Sequence, residues 1–76
     1  MNRYFFDVVG QDRSELDYSG RDLPAPDRAC HLAEMIALDL AIEPDDKWHG
    51  WAIYVRTAEG RTLYTVPVDS DCLALA

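Results

Sequence analysis

Apolar and polar side chains alternate at the start of the chain. Tyr4, Phe6 and Val8 fall on one face of an extended segment, and Arg3, Phe5, Asp7 and Val9 fall on the other. Aromatic and β-branched residues dominate positions 3–9, which suits a pleated strand. The second face carries two charges, so the first is expected to meet the core. Gly10, Gln11, Asp12, Arg13 and Ser14 read as a turn. A short second strand is predicted over 15–18, closed by a turn at Ser19-Gly20, with Arg21, Asp22 and Leu23 leading out of it. Pro26 suits the first position of a helix, where its missing N–H costs nothing. Asp27 then sits where a negative charge opposes the helix dipole, although Ala25 is a poor N-cap. Residues 27–42 are rich in Ala, Leu, Met and Glu. Glu43 precedes Pro44 and is steered out of the helical region, so the helix should stop near Ile42. A third strand is predicted over 50–57, a hairpin loop at Ala58-Glu59-Gly60-Arg61, and a fourth strand over 62–66, ended by Pro67. The pattern is ββαββ. It predicts a single small α+β domain over residues 1–76, with one helix packed on one face of an antiparallel sheet made of two hairpins.

Helical spacing gathers Ala29, Leu32, Ala33, Ile36, Ala37 and Leu40 into one stripe. The expected core is Tyr4, Phe6, Val8, Ala33, Ile36, Leu40, Ile53 and Val55. Two sets of apolar side chains are left over. Met35, Leu38 and Ile42 form a second seam among Asp27, Arg28, His31 and Glu34. Phe5, Val9 and Tyr54, joined by Tyr64 if its strand faces that way, lie on the sheet face away from the helix. One helix covers one side of a sheet, and the open side of an antiparallel sheet is usually polar. Such surplus apolar surface suits an interface. Cover by the tail through Leu73 and Leu75 is the other account of the helix seam, and half-exposed cross-strand ring pairs are the other account of the sheet face. That tail, residues 67–76, either docks or frays.

A chain of 76 residues is too short for a pocket walled by two domains. Its formal net charge is −7, and Arg3, Arg13, Arg21, Arg28, Lys47, Arg56 and Arg61 are scattered. Nucleic acid and anionic lipid are therefore not expected partners. No apolar run approaches the roughly 18 residues of a membrane span, and the first residues lack a signal-peptide core. Cys30 and Cys72 have no zinc-like spacing with any histidine or with each other. Both are expected as reduced thiols of a cytoplasmic protein.

No catalytic, cofactor or metal residue emerges from the motifs. His31 lies on the solvated helix face, and His49 lies in a loop without a triad-like neighbour. Glu43, Asp45 and Asp46 lack the alternating oxygens and central Gly of a calcium loop. Asp12 with Asp17, and Asp69 with Asp71, offer still less. Gly10, Gly20, Gly50 and Gly60 stand singly, so no phosphate loop is present. Trp48 and Trp51 flank His49-Gly50. That pair either anchors the end of the sheet or lines a ligand pocket.

Three stretches carry a family likeness: Arg3-Tyr4-Phe5-Phe6-Asp7-Val8, then Gly20-Arg21-Asp22-Leu23-Pro24 before an Ala-rich helix, then Val55-Arg56-Thr57-Ala58-Glu59-Gly60-Arg61-Thr62-Leu63 leading to Thr65-Val66-Pro67. Together they resemble a family of short bacterial proteins of rhizobial type, the domain of unknown function 6894. The resemblance runs from Arg3 to Val68. It implies a compact stand-alone domain and supplies no activity and no site residues. Ala25-Pro26 departs from it where many relatives carry an acidic or hydroxyl capper.

The expectation is a non-enzymatic, cytoplasmic interaction protein that self-associates as a homodimer, without cofactor. Its interface would use Phe5, Tyr54 and Tyr64, rimmed by Arg3 and Arg56 against Asp7 of the partner subunit, or the seam Met35, Leu38 and Ile42. The alternative is a small-molecule-binding or sensor domain using Trp48, His49, Gly50 and Trp51, with Tyr54 beside them.

Overall fold

The alternation at the N-terminus produces β1, Asn2–Val9. In the computed structural model, which describes residues 1–44 and 47–68, this strand is the spine of the sheet. It is followed by β2 (Ser14–Glu15), β3 (Arg21–Leu23), α1 (Pro26–Ala41), β4 (Ala52–Thr57) and β5 (Thr62–Pro67). All pairings are antiparallel. β5 pairs with β4 and β4 with β1, while β2 and β3 share the far edge of β1. The domain is therefore α+β, with one helix on a five-stranded antiparallel sheet.

The far edge departs from the strand expected over 15–18. Glu15 lies opposite Val8 and Arg21 opposite Tyr4, so the edge spends six residues where β1 spends four. The excess bows out as a bulge at 16–20. Residues 21–23, read as a lead-out, are a strand in their own right.

Helix α1 starts at Pro26 after an extended Ala25 that makes no side-chain cap, and it ends at Ala41. Pro26 thus takes the first helical position, as its fixed φ favours, and the C-terminal end falls one residue before Ile42. Gly50, with φ of 84°, and the Trp51 N–H donating to the Trp48 carbonyl hold a turn before β4, which delays that strand to Ala52.

The core lies between the helix and the near face of the sheet. Tyr4, Phe6, Ile53 and Val55 are buried from the sheet side. From the helix come Ala29, Ala33 and Ala37, one on each successive turn. With only a methyl at each step, they form the line of closest approach. Leu32, Ile36 and Leu40 pack around that line, as do Val8 and Leu23 from the sheet. Val8, Ile36 and Leu40, expected in the core, are thus half-buried flanks of it. Val68, assigned to the tail by pattern, is a core residue; its N–H donates to the Trp51 carbonyl at 2.7 Å. Asp45 and Asp46, and the segment 69–76 with Cys72, Leu73 and Leu75, lie outside the described residues. No helix among the described residues is long and apolar enough to cross a membrane.

Candidate functional site

The β1–β4 register fixes what lies on the sheet face away from the helix. Phe5 stands opposite Arg56, Asp7 opposite Tyr54 and Val9 opposite Ala52. Phe5 and Tyr54 share this face, as expected. Tyr64 does not. It lies opposite Val55 and so faces the helix, because a register shift puts an extra residue on β5 between Thr62 and Tyr64.

No helix covers this far face, yet Asp7 is only 4% exposed. Arg56 Nε donates to its Oδ2 at 2.6 Å and Nη2 to its Oδ1 at 3.2 Å. The Asp17 N–H donates to the same Oδ1 at 2.9 Å. The Arg56 guanidinium also lies 4.9 Å from the centre of the Phe5 ring. The bulge at 16–20 completes the cover. A Cβ on Gly20 would stand 2.9 Å from a Phe5 ring carbon, and φ there is 74°, so the close approach requires glycine. Asp17 organises the bulge: its carboxylate accepts from the N–H groups of Phe6, Ser19 and Gly20 at 3.2, 3.0 and 3.1 Å. Arg3 donates to both oxygens of Asp22 at 3.0 and 3.1 Å, and to the Ser19 carbonyl at 2.9 Å.

These contacts overturn the expected pairing of Arg3 and Arg56 with Asp7 of the partner subunit. Each arginine is matched within its own chain, and Phe5 lies beneath a guanidinium. Asp17 was the residue missed. Its signal is the spacing Asp17-Tyr18-Ser19-Gly20, in which a short carboxylate reaches the backbone two and three residues on.

Burial pushes the Asp7 carboxyl up, but hydrogen bonds from Arg56 and Asp17 and the charge of Arg56 outweigh it, so it is held below its ordinary value. Asp17 is likewise pushed up by burial. The N–H groups of Gly20, Phe6 and Ser19 and the charge of Arg56 bring it below normal. Carboxyls lowered by folding stabilise above their unfolded pKa, about 3.9, and lose that contribution as pH falls toward their folded values. The urea midpoint is therefore expected to hold from neutrality to about pH 5 and to fall below about pH 4. Asp7→Asn should flatten that fall. A wild-type midpoint unchanged at about pH 3 contradicts the assignment.

At the other end of β1, Trp48 and Trp51 do come together, with ring centres 4.8 Å apart at 79°. Trp48 donates its Nε1–H to Glu43 and carries the Lys47 ammonium 5.1 Å from its ring centre. Arg13 lies 5.8 Å from the Trp51 ring centre, and Gly10 lies against that ring, where a Cβ would stand 2.6 Å from it. Trp51 is thus engaged by its own chain, as an anchor is. His49 is exposed on the rim of an open cleft of about 430 Å³ shared with Gln11, Asp12, Arg13, Gly50 and Trp51. Tyr54 does not line it. No three His, Cys, Asp or Glu side chains among the described residues gather as a cation cage needs.

On the outward side of α1, Met35 is 52% and Ile42 67% exposed, and Leu38 is half-buried. A second open cleft, about 690 Å³, runs between α1 and β5, lined by Asp27, Arg28, Cys30, His31, Glu34 and Tyr64. Burial, aided by Glu34, pushes the Cys30 thiol up, away from the reactive thiolate. Beyond β5 no further strand lies among the described residues. Its sequence, Thr62-Leu63-Tyr64-Thr65-Val66-Pro67, contains no charge.

A family model described as a domain of unknown function, DUF6894, matches residues 3–69. No curated protein and no solved structure matches the chain. The match spans nearly the whole sequence, and the chain belongs to that family.

Proposed function

We propose that this member of the DUF6894 family is a non-enzymatic cytoplasmic domain that self-associates, β5 of one copy pairing antiparallel with β5 of a second. The support is a contrast between the two edges of its sheet. An open edge strand is a template for pairing with another chain, and proteins blunt such edges with charges, bulges and short strands. The β2/β3 edge has all three devices: two short strands, the bulge at 16–20, and Glu15, Asp17, Arg21 and Asp22. The β5 edge is six residues long and has no charge.

A two-fold axis through the middle of β5 uses one edge twice and closes the assembly at two subunits. Pro67, lacking an N–H, bounds the ladder. Tyr64 of each copy then stands on the helix side of the joined sheets, beside the cleft that carries His31 and Glu34. The charge of −7 per copy opposes association, but it is screened beyond about 8 Å at physiological salt. Nucleic acid is not a partner in this scheme: the net charge is −7, and two of the seven basic side chains, Arg3 and Arg56, are paired with carboxylates.

Sedimentation across a wide concentration range tests the proposal. Lysines at the exposed positions Thr62 and Thr65 are the edge-blocking variant. The double substitution Thr62→Lys, Thr65→Lys is expected to weaken the dimer by about tenfold or more, while Leu38→Glu leaves it unchanged. A wild type that stays monomeric at millimolar concentration sinks the proposal. So does a dimer lost in Leu38→Glu and kept in the lysine variant.

A further inference from the structure

At about 100° per residue, Met35, Leu38 and Ile42 fall on the side of α1 opposite Ala29, Ala33 and Ala37, and so point away from the sheet. Their spacing of three and then four residues is that of anchors for a partner helix. The charges beside them have one dominant sign. Asp27 and Glu34 lie along one flank and Asp39 along the other, all exposed, and the last turn of α1 has no basic residue. Arg28 and His31 stand only toward the N-terminal end.

We propose that this face docks a basic amphipathic helix of another protein. Apolar side chains of that helix cover Met35, Leu38 and Ile42, and its lysines or arginines meet Asp27, Glu34 and Asp39. A second copy is the wrong occupant on charge. Antiparallel pairing of α1 with its own copy about Leu38 lays each flank against the same flank of the other chain and brings Asp39 toward its own counterpart, and each chain already carries −7. A basic helix turns the same flanks into attraction and steers the encounter. Met35, unbranched and polarisable, adapts to the apolar groups laid on it. Pairing through β5 leaves this face open on both subunits, so the two proposals stand or fall separately.

The test is a titration of the isotopically labelled full chain, followed at the methyl groups of Met35, Leu38 and Ile42. The probe is a helical model peptide of leucine and lysine, its leucines spaced three and four residues apart. Saturable shifts at those methyls are expected. Affinity should fall by about tenfold or more in Met35→Ser with Ile42→Ser, and again in Glu34→Lys with Asp39→Lys. A peptide with glutamate in place of lysine should not bind. The proposal is overturned if no saturable shift appears at millimolar peptide, or if a scrambled leucine–lysine peptide binds equally well. Methyl shifts that follow dilution of the protein alone make a second copy the occupant and overturn it. Nuclear Overhauser contacts from these methyls to Leu73 or Leu75 overturn it in favour of the chain's own C-terminal segment.

Discussion

Replacing Arg56 by methionine is expected to remove about 3–5 kcal/mol of folding stability, the cost of stranding a buried charge. Side-chain exposure is 6% for Asp7 and 28% for Arg56, so the carboxylate lies almost wholly out of water and relies on its partner. The same change uncovers Phe5 and deletes the hydrogen bond to the Asp17 carbonyl. A small domain has about 5–15 kcal/mol in total, so the variant should stand near the limit of folding. Urea denaturation of Arg56→Met, Asp7→Leu and the double variant separates the terms. The double variant is expected to lose less than the sum, because neither charge is then left alone. A cost below about 1 kcal/mol for Arg56→Met would place the pair among ordinary surface ion pairs and refute its buried character.

Truncating Ile53 to alanine is expected to cost about 2–5 kcal/mol. Ile53 and Val55 are the largest side chains with no exposure, and Ile53 sits on the central strand pair beneath the helix. Neighbours cannot collapse into the space, since the helix already lies as close as its alanines permit. Ile36→Ala is the control. Ile36 is half-buried beside the alanine line, so its truncation should cost clearly less. Equal losses at the two positions in urea titrations would contradict the description of the core.

Much of this architecture is written in short-range patterns. The alternation in β1, Pro26 at the helix start and the Gly60 hairpin each depend on a few neighbouring residues, and each element appears within two residues of its expected place. The failures share a different cause. Tyr64 changes face because of a shift in pairing between two strands, which no single strand's pattern records. The β2/β3 edge breaks because the Asp17 side chain takes hydrogen bonds that a continuous strand would make with its backbone. Hydrophobicity alone puts Ile36 and Leu40 at the centre of the helix stripe. At a closely packed helix–sheet contact the smallest residues take the centre. Of the surface expectations, Met35 and Ile42 emerge exposed with Leu38 half-buried between them, whereas Phe5 is half-covered by contacts 15 and more residues away in sequence, beyond the reach of pattern.

The carboxylate that stands in for a strand also makes the Phe6 amide a reporter. Its N–H donates, at an N···O distance of 3.2 Å, to a side chain on a surface loop, on a strand that otherwise bonds to β4 and the short edge pieces. Lifting residues 16–20 frees that proton without disturbing the core. Its exchange with deuterated solvent is then governed by a small local opening, while the amides of the β1–β4 ladder wait for an event nearer to global unfolding. Two exchange regimes should thus meet within one strand, and Asp17→Asn should accelerate the first and leave the second almost unchanged.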